Sequence, residues 1–323
     1  MIKRFKGNLR YLDIPDVTNQ IFMIFLAVLS LFFVKDPTAK YLILFLNILL
    51  CILITYFVSH YERKPESEKT HRTVSRFLRF WYPVFMIMFC FKEIYLIMIG
   101  LGHPLCDETL IRIDRWIFGL NPTQYLSKYS APLPVEFFQI IYGIFYLMPV
   151  IYSAELYLWH RYDELKYAIF VLLTGFYLSF IGYVLFPAIG PRFTLHDFSQ
   201  TDIELQGIFF TKHIRDFINF GESIPLNVSN PEDYAQRDAF PSGHTIIILL
   251  ITYLSHKIKS KSFYFYLPYS LLMLFSTVYL RYHYVIDLIG GIPFVLVTIF
   301  LANRIYKGRI KFGNQTETVI SSG

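Results

Sequence analysis

Eight runs of mostly apolar residues, at about 20–34, 41–59, 80–100, 135–158, 167–187, 244–256, 263–280 and 285–303, dominate this chain and dictate its solvent. A helix needs about 20 predominantly apolar residues to cross the hydrocarbon core of a bilayer. In lipid every backbone polar group must find its partner inside the protein, which restricts apolar runs of this length to helices. Composition agrees: 54% of the residues are hydrophobic and only 17% charged, where a soluble domain carries about a quarter. The mean hydropathy is +0.43. A water-soluble enzyme is excluded, and the expected fold is an all-α, polytopic membrane helical bundle. The first and sixth runs are short, and a sunken or half-inserted helix is expected at either place. No small-residue cleavage site separates the first run from the second, so the first is read as a retained anchor.

The net charge of +6 fits topology better than nucleic-acid binding, for which no motif is present. Cys51 and Cys90 fall in apolar runs and Cys106 in a loop, which leaves no disulfide framework. With eight crossings and a cytoplasmic amino terminus, the inside segments hold 19 Lys and Arg residues and the outside segments 10. Basic residues near span ends are retained on the cytoplasmic side. Both termini are therefore expected in the cytoplasm, with the long segments 101–134 and 188–243 on the extracytoplasmic side. In the first of these, Leu110, Ile113 and Ile117 recur at helical spacing beside Arg112, Asp114 and Arg115. This predicts an amphipathic helix on the membrane surface, stopped by Asn121-Pro122. The second is polar, contains Pro191, Pro225 and Pro231, and is expected to cap the outer face.

Two strings carry chemistry. Phe240-Pro241-Ser242-Gly243-His244-Thr245 leads from the outer loop into the sixth run. A helix beginning there leaves its first backbone N–H groups unpaired, and Ser242 and Gly243 let an anion come close. Tyr279 through Asp287 joins the seventh run to the eighth and contains His283 and Asp287, four residues apart. On a helix that spacing puts both on one face, so the carboxylate can hold one ring nitrogen and leave the other free as nucleophile or base. A carboxylate at the start of a membrane run is costly, which weighs towards function. The topology brings His244, the His283–Asp287 pair and Arg192, in Gly190-Pro191-Arg192, to the same side. One guanidinium, one helix start, two imidazoles and a carboxylate form a phosphoryl-transfer set that requires no metal and no cofactor.

At these residues the chain resembles the type 2 phosphatidic acid phosphatase superfamily, whose motifs are Lys-x(6)-Arg-Pro, Pro-Ser-Gly-His and Ser-Arg-x(5)-His-x(3)-Asp. The second is matched outright by Pro241 to His244. The third keeps His283 and Asp287 but has Thr277 where Arg is expected, and Arg281 is the candidate replacement. In the first, Pro191-Arg192 reverses the order and Leu185 holds the Lys position. Phe186-Pro187, Gly190-Pro191-Arg192, the Tyr279–Tyr284 string and the segment from Asp114-Arg115 to Pro122 look similar to the branch containing fungal inositol phosphorylceramide synthases. The resemblance spans roughly 80–303. It implies a six-helix catalytic core, preceded by a two-helix hairpin and cytoplasmic loop in 1–79 and followed by a cytoplasmic tail in 304–323. It also implies a lipid phosphoester substrate, attacked by His283 to form a phosphohistidine with Asp287 orienting the ring. His244 would protonate the leaving oxygen, while Arg192, Ser242, Gly243 and Arg281 hold the phosphoryl oxygens.

Lys92 and Glu93 lie inside the third run, where ionisable groups are expensive. One reading is an internal ion pair, with Glu155 a further candidate partner; the other is that Lys92 replaces the missing first-motif lysine in binding phosphate. Two different functions remain open. A transporter would use Lys92, Glu93 and the helix start at Ser242-Gly243 to bind an anion carried across the bilayer. A metal site would draw on His196, His213, His244, His283 and Asp287, although their spacing fits no ligand pattern. Asn227-Val228-Ser229 is a glycosylation acceptor string on the expected outer side.

Overall fold

The computed structural model describes residues 7–65, 73–225 and 228–309. Among them the chain is all-α, with one isolated β-bridge between Ala188 and Asp238. The main helices are α1 (Ile14–Phe33), α2 (Pro37–Glu62), α3 (Thr73–Leu101), α4 (Asp107–Phe118), α5 (Pro132–Phe145), α6 (Met148–Leu158), α7 (Tyr162–Leu185), α8 (Thr211–Gly221), α9 (Gly243–Lys257), α10 (Phe263–Tyr279) and α11 (Val285–Ile305). Helical rods stand at all eight apolar runs. Five of them, α1, α2, α3, α7 and α11, are long and apolar enough to cross a membrane, and α5 with α6 makes a sixth if the 53° bend between them is taken within one span.

Of the two short runs, only the first differs from expectation. α1 has 20 residues because its apolar run is extended by polar residues that bury their side chains. Gln20 donates to Thr55 Oγ1 at 2.9 Å, and Asn19 accepts from the Tyr177 hydroxyl. The sixth run does give a short helix, α9, with 15 residues, and α10 has 17. At about 1.5 Å per residue α9 is only some 22 Å long. It tolerates this because it is the inner helix, walled by α7, α10 and α11 and buried along most of its length. α7 is the other central rod, packed on α1, α3, α6, α9 and α11. The amino-terminal helices are thus part of the bundle wall, with the Phe22 and Tyr177 rings stacked at 3.9 Å.

At the end of the bundle away from the two histidines, buried Arg79 of α3 ties α1, α2 and α3 together. Its guanidinium reaches Asp16 at 2.9 and 3.0 Å, Asp13 at 2.8 Å and Glu62 at 3.0 Å. Lys92 and Glu93 do not form the expected internal ion pair. On a helix, consecutive residues point about 100° apart, and these two diverge accordingly. Glu93 turns inward to accept from Asn47 Nδ2 at 2.8 Å, while Lys92 Nζ donates to the Gly221 carbonyl at 2.6 Å and Ser223 Oγ at 2.9 Å. Glu155 accepts from Ser262 Oγ at 2.9 Å instead.

The amphipathic helix expected in 107–121 is α4. It ends at Gly119, a left-handed C-cap with φ of 70° whose N–H bonds the Arg115 carbonyl, two residues before the expected Asn-Pro stop. It does more than lie on a surface. Trp116 is exposed, but Asp107, Leu110 and Asp114 form a buried stripe directed into the protein.

Candidate active site

The site is assembled where three backbone turns meet: the segment after α7, the start of α9 and the start of α11. Asp107 accepts from the backbone N–H groups of Ile189 and Gly190 at 3.0 and 2.8 Å and from the Tyr284 hydroxyl at 2.9 Å. Asp114 accepts from Val285 and Ile286 at 2.9 and 2.8 Å, satisfying first-turn donors of α11. Ser242 N donates to the Asp287 carbonyl at 3.0 Å, which locks the starts of α9 and α11 together. Two α4 carboxylates therefore fix the loops that present the histidines.

Gly243 is confined by sterics. A Cβ there would sit 2.3 Å from the Tyr183 hydroxyl, so any larger residue would have to displace that side chain. Gly190 has φ of +90°, and a Cβ on it would meet the Tyr282 carbonyl at 2.8 Å. These close approaches bring Arg192, His244 and His283 to one cavity of about 220 Å³, lined also by Tyr142, Phe145, Tyr183, Glu222 and Asp238.

The two imidazoles meet. His283 Nδ1 lies 3.2 Å from Asp287 Oδ2, and its Nε2 lies 2.9 Å from His244 Nδ1. With the carboxylate on Nδ1, that nitrogen carries the proton and the Nε2 lone pair faces His244 Nδ1, in a pair of rings that lines the cavity. The same Asp287 oxygen accepts from Tyr284 N at 2.9 Å. Asp287 Oδ1 and His244 Nε2 have no hydrogen-bond partner among the described residues. Burial pushes the His283 imidazole down to about 4, with the Asp238 carboxylate opposing, so the ring is neutral at ordinary pH. Asp238, in the loop before α9, is itself raised by burial against the pull of His283, Arg192 and Lys92. Rings of Tyr142 and Phe145 stand 4.9 and 4.5 Å from that of His244, and Tyr142 stacks on Tyr282 at 4.1 Å.

Arg192 is buried, with its guanidinium 5.0 Å above the Tyr282 ring. It donates to Asn219 Oδ1 at 3.2 Å and pairs with Glu222. Of the other expected phosphate contacts, Gly243 lines the cavity but Ser242 does not: its hydroxyl is buried as the N-cap of α9, accepting from Thr245 N at 3.2 Å. Arg281 is not brought to the cavity. Its φ of 69° turns the side chain away from that of His283, to pair with Glu204 in a separate depression that also holds His196 and Lys128. Lys92 stays at the rim on its α8 partners and does not line the cavity. His196 meets Thr123 at 3.1 Å, on the Arg281 side, and His213 lies on α8, so neither joins His244 and His283. Among the described residues no three His, Cys, Asp or Glu side chains form a metal-ligand group. Asn227 of the acceptor string lies outside the described residues.

The family model of the PAP2 superfamily matches residues 108–301, more than half of the 323-residue chain. The chain belongs to the PAP2 superfamily. The match begins in α4 and ends in α11, so it takes in every element that builds the cavity except α3. PAP2 membership brings phosphatase-type chemistry on lipid phosphoesters to a multi-pass membrane protein. No curated protein and no solved structure matches the chain.

Of the residues singled out in the sequence, the structure brings His244, His283, Asp287 and Arg192 together. Sequence reasoning missed Asp107, Asp114, Glu222 and Asp238. The acidic residues of α4 left a signal: Asp107, Leu110 and Asp114 recur at spacings of three and four, placing two carboxylates on the stripe that a helix buries. Glu222 and Asp238 left none, since Glu222 caps the end of α8 and Asp238 lies in a loop with no periodicity.

Proposed function

We propose that this PAP2 protein is a metal-independent lipid phosphotransferase or phosphatase acting on the extracytoplasmic face through a phosphohistidine. The observation that carries the reading is the Asp287–His283–His244 relay ending at a cavity that also holds the Arg192 guanidinium. A phosphoryl group entering between the rings receives the Nε2 lone pair of His283, and the bond from phosphorus to the leaving oxygen breaks. A protonated His244 hands its proton to that oxygen. Water or a lipid hydroxyl then attacks phosphorus, gives its proton back to His244 and releases His283. Asp287 balances the positive charge on the ring while the phosphorus–nitrogen bond exists.

Charge at the polar end of the cavity favours a phosphodiester over a phosphomonoester. Arg192 is already paired with Glu222, and Asp238 faces the same space. Arg192 and a protonated His244 are already balanced by Glu222 and Asp238, so a dianionic monoester would bring two uncompensated charges and a monoanionic diester only one. This supports head-group transfer, in line with the likeness to inositol phosphorylceramide synthases. The face is assigned from the excess of basic residues on the opposite side, 19 against 10. The test is to incubate the reconstituted protein, with chelator present, with diacyl phosphodiesters, phosphatidate and a ceramide or diacylglycerol acceptor, following lipid products and free phosphate by mass spectrometry. New head-group lipids without free phosphate support transfer. Free phosphate from phosphatidate alone assigns the protein as a phosphatase, and activity abolished by chelation rejects the metal-free scheme.

A further inference from the structure

The 188–243 segment, expected as a polar cap, contains a helix that its neighbours place at membrane depth. α8 packs on α5, and a Cβ on Gly143 would lie 2.8 Å from Ile214, so the two helices touch there. Gly143 is eleven residues into α5, about 16 Å below its first turn. The end of α8 is held by Lys92, nine residues before the end of α3 and thus about 14 Å below it. The end of α10, an apolar helix with Leu271 and Phe275 exposed, lies level with the start of α5, where the Tyr279 hydroxyl reaches the Tyr129 carbonyl at 3.2 Å. Two independent tethers therefore sink α8 alongside apolar helices.

The faces of α8 agree with that depth. Thr211, Arg215 and Ile218 are buried against the protein, with Arg215 held by Asp202 and the Leu205 carbonyl. Phe217 and Phe220 are 67% and 81% exposed, and Phe209 and Phe210 just before the helix are 75% and 58% exposed. Of the surface charges of α8, Lys212 pairs with Asp216 and with Asp202 beside the phenylalanines, and His213 is exposed among them. Four exposed phenylalanines facing water would form a large unfavourable patch. Facing the bilayer, they continue the belt formed by exposed Phe85 and Met88 of α3. Met88 and Phe217, both exposed, also line the active-site cavity, so its wall opens sideways between α3 and α8.

We propose that α8 is seated in the bilayer leaflet on the site side, with its phenylalanine face against phospholipid acyl chains. With α3 it frames a side mouth through which the tails of a bound lipid leave the cavity. The mouth rests on the functional reading above; the seating of α8 does not. Asn219 and Glu222, at the other side and end of the same helix, hold Arg192, so lipid contact and the guanidinium share one rigid element.

The experiment uses the full chain in phosphatidylcholine vesicles. Phe220→Trp is compared with the parent protein, whose three tryptophans are common to both, and the added emission is challenged with lipids brominated on their acyl chains and with aqueous iodide. Loss of the added emission to brominated chains, with none to iodide, is the expected result. Quenching by iodide alone overturns the proposal. So does protection from both, which a covering protein surface would give. Phe220→Asp tests the mouth. Turnover of a long-chain lipid is expected to fall about a hundredfold, the scale of burying a charge in the bilayer, while a short-chain water-soluble phosphoester is turned over as before. Equal effects on both substrates remove the mouth, and because the quenching result needs no turnover, failure of the catalytic reading is seen separately.

Discussion

Two buried polar clusters sit at opposite ends of this bundle, and they are finished differently. Around Arg79 the hydrogen-bonding groups are matched: its donors meet Asp13, Asp16 and Glu62, and Asp16 accepts also from Asp13 N at 2.8 Å and from the Tyr82 hydroxyl. Around His283 the matching stops short. Asp287 Oδ1 and His244 Nε2 lack partners among the described residues, two imidazoles share one contact, and Arg192 and Glu222 border open space. A buried polar group without a partner costs about 1–3 kcal/mol. Under the function proposed above, the histidine cluster keeps donors and acceptors open for a phosphoryl group, whereas the Arg79 cluster spends its own on holding helices together. Unpaired atoms occur elsewhere in the bundle too, as at Gln139 and Tyr152, so what sets the histidine cluster apart is that its open atoms adjoin a cavity that also holds a guanidinium.

The comparison breaks most easily at His283. His283→Ala is expected to lower turnover by a factor on the order of 10⁴ or more, as removing a nucleophile does, while the thermal transition stays close to that of the parent. An unchanged rate would end the assignment. Arg79→Met should do the reverse. Leaving Asp16 buried and unpaired costs about 3–5 kcal/mol, seen as a lower unfolding midpoint in detergent, with activity per folded molecule retained.

Asp114→Ala sharpens the contrast, since it removes a tie that serves the site. Releasing the start of α11 lets His283 and Asp287 shift, and a displacement of about 1 Å can cost about 100-fold in rate. The fall should appear in kcat with KM little changed; an equal change in both would mean that Asp114 shapes substrate binding. The pH dependence is a smaller effect. With His283 held down to about 4, at pH 5.5 it stays mostly neutral, where an ordinary imidazole at about 6.5 would be roughly nine-tenths protonated. The acid limb of kcat/KM should therefore lie well below pH 6. The unfolded chain takes up this proton at about 6.5 and the folded one only near 4. Stability is thus complete above the upper value and is lost as pH falls between the two. The smallest effect is expected at Arg281, whose partner is Glu204. Arg281→Gln should leave KM within about twofold, while Arg192→Gln loses charged hydrogen bonds worth about 1.5–3 kcal/mol and raises it at least tenfold.

Much of this was legible in the sequence because membrane helices announce themselves by length, and because the candidate site residues lie in strings that cross a helix start. His244 beside Ser242-Gly243, and His283 four residues before Asp287, carry their geometry locally. What failed depended on direction or on distant chain. Arg281 is two residues from His283 in sequence, yet a left-handed backbone sends its side chain the other way. Lys92 and Glu93 are adjacent, yet one faces α8 and the other α2. The carboxylates of α4 act on loops more than eighty residues later in the chain, which no local pattern encodes beyond their shared stripe.

α9 carries one more implication. A helix in contact with acyl chains has to match the width of the membrane around it, but this one is ringed by protein and begins part-way down the bundle. The depth at which the two imidazoles sit is consequently a property of the fold, not of the surrounding lipid. The same chemistry can therefore be carried unchanged through compartments whose bilayers differ in thickness, with adaptation left to the outer ring of helices.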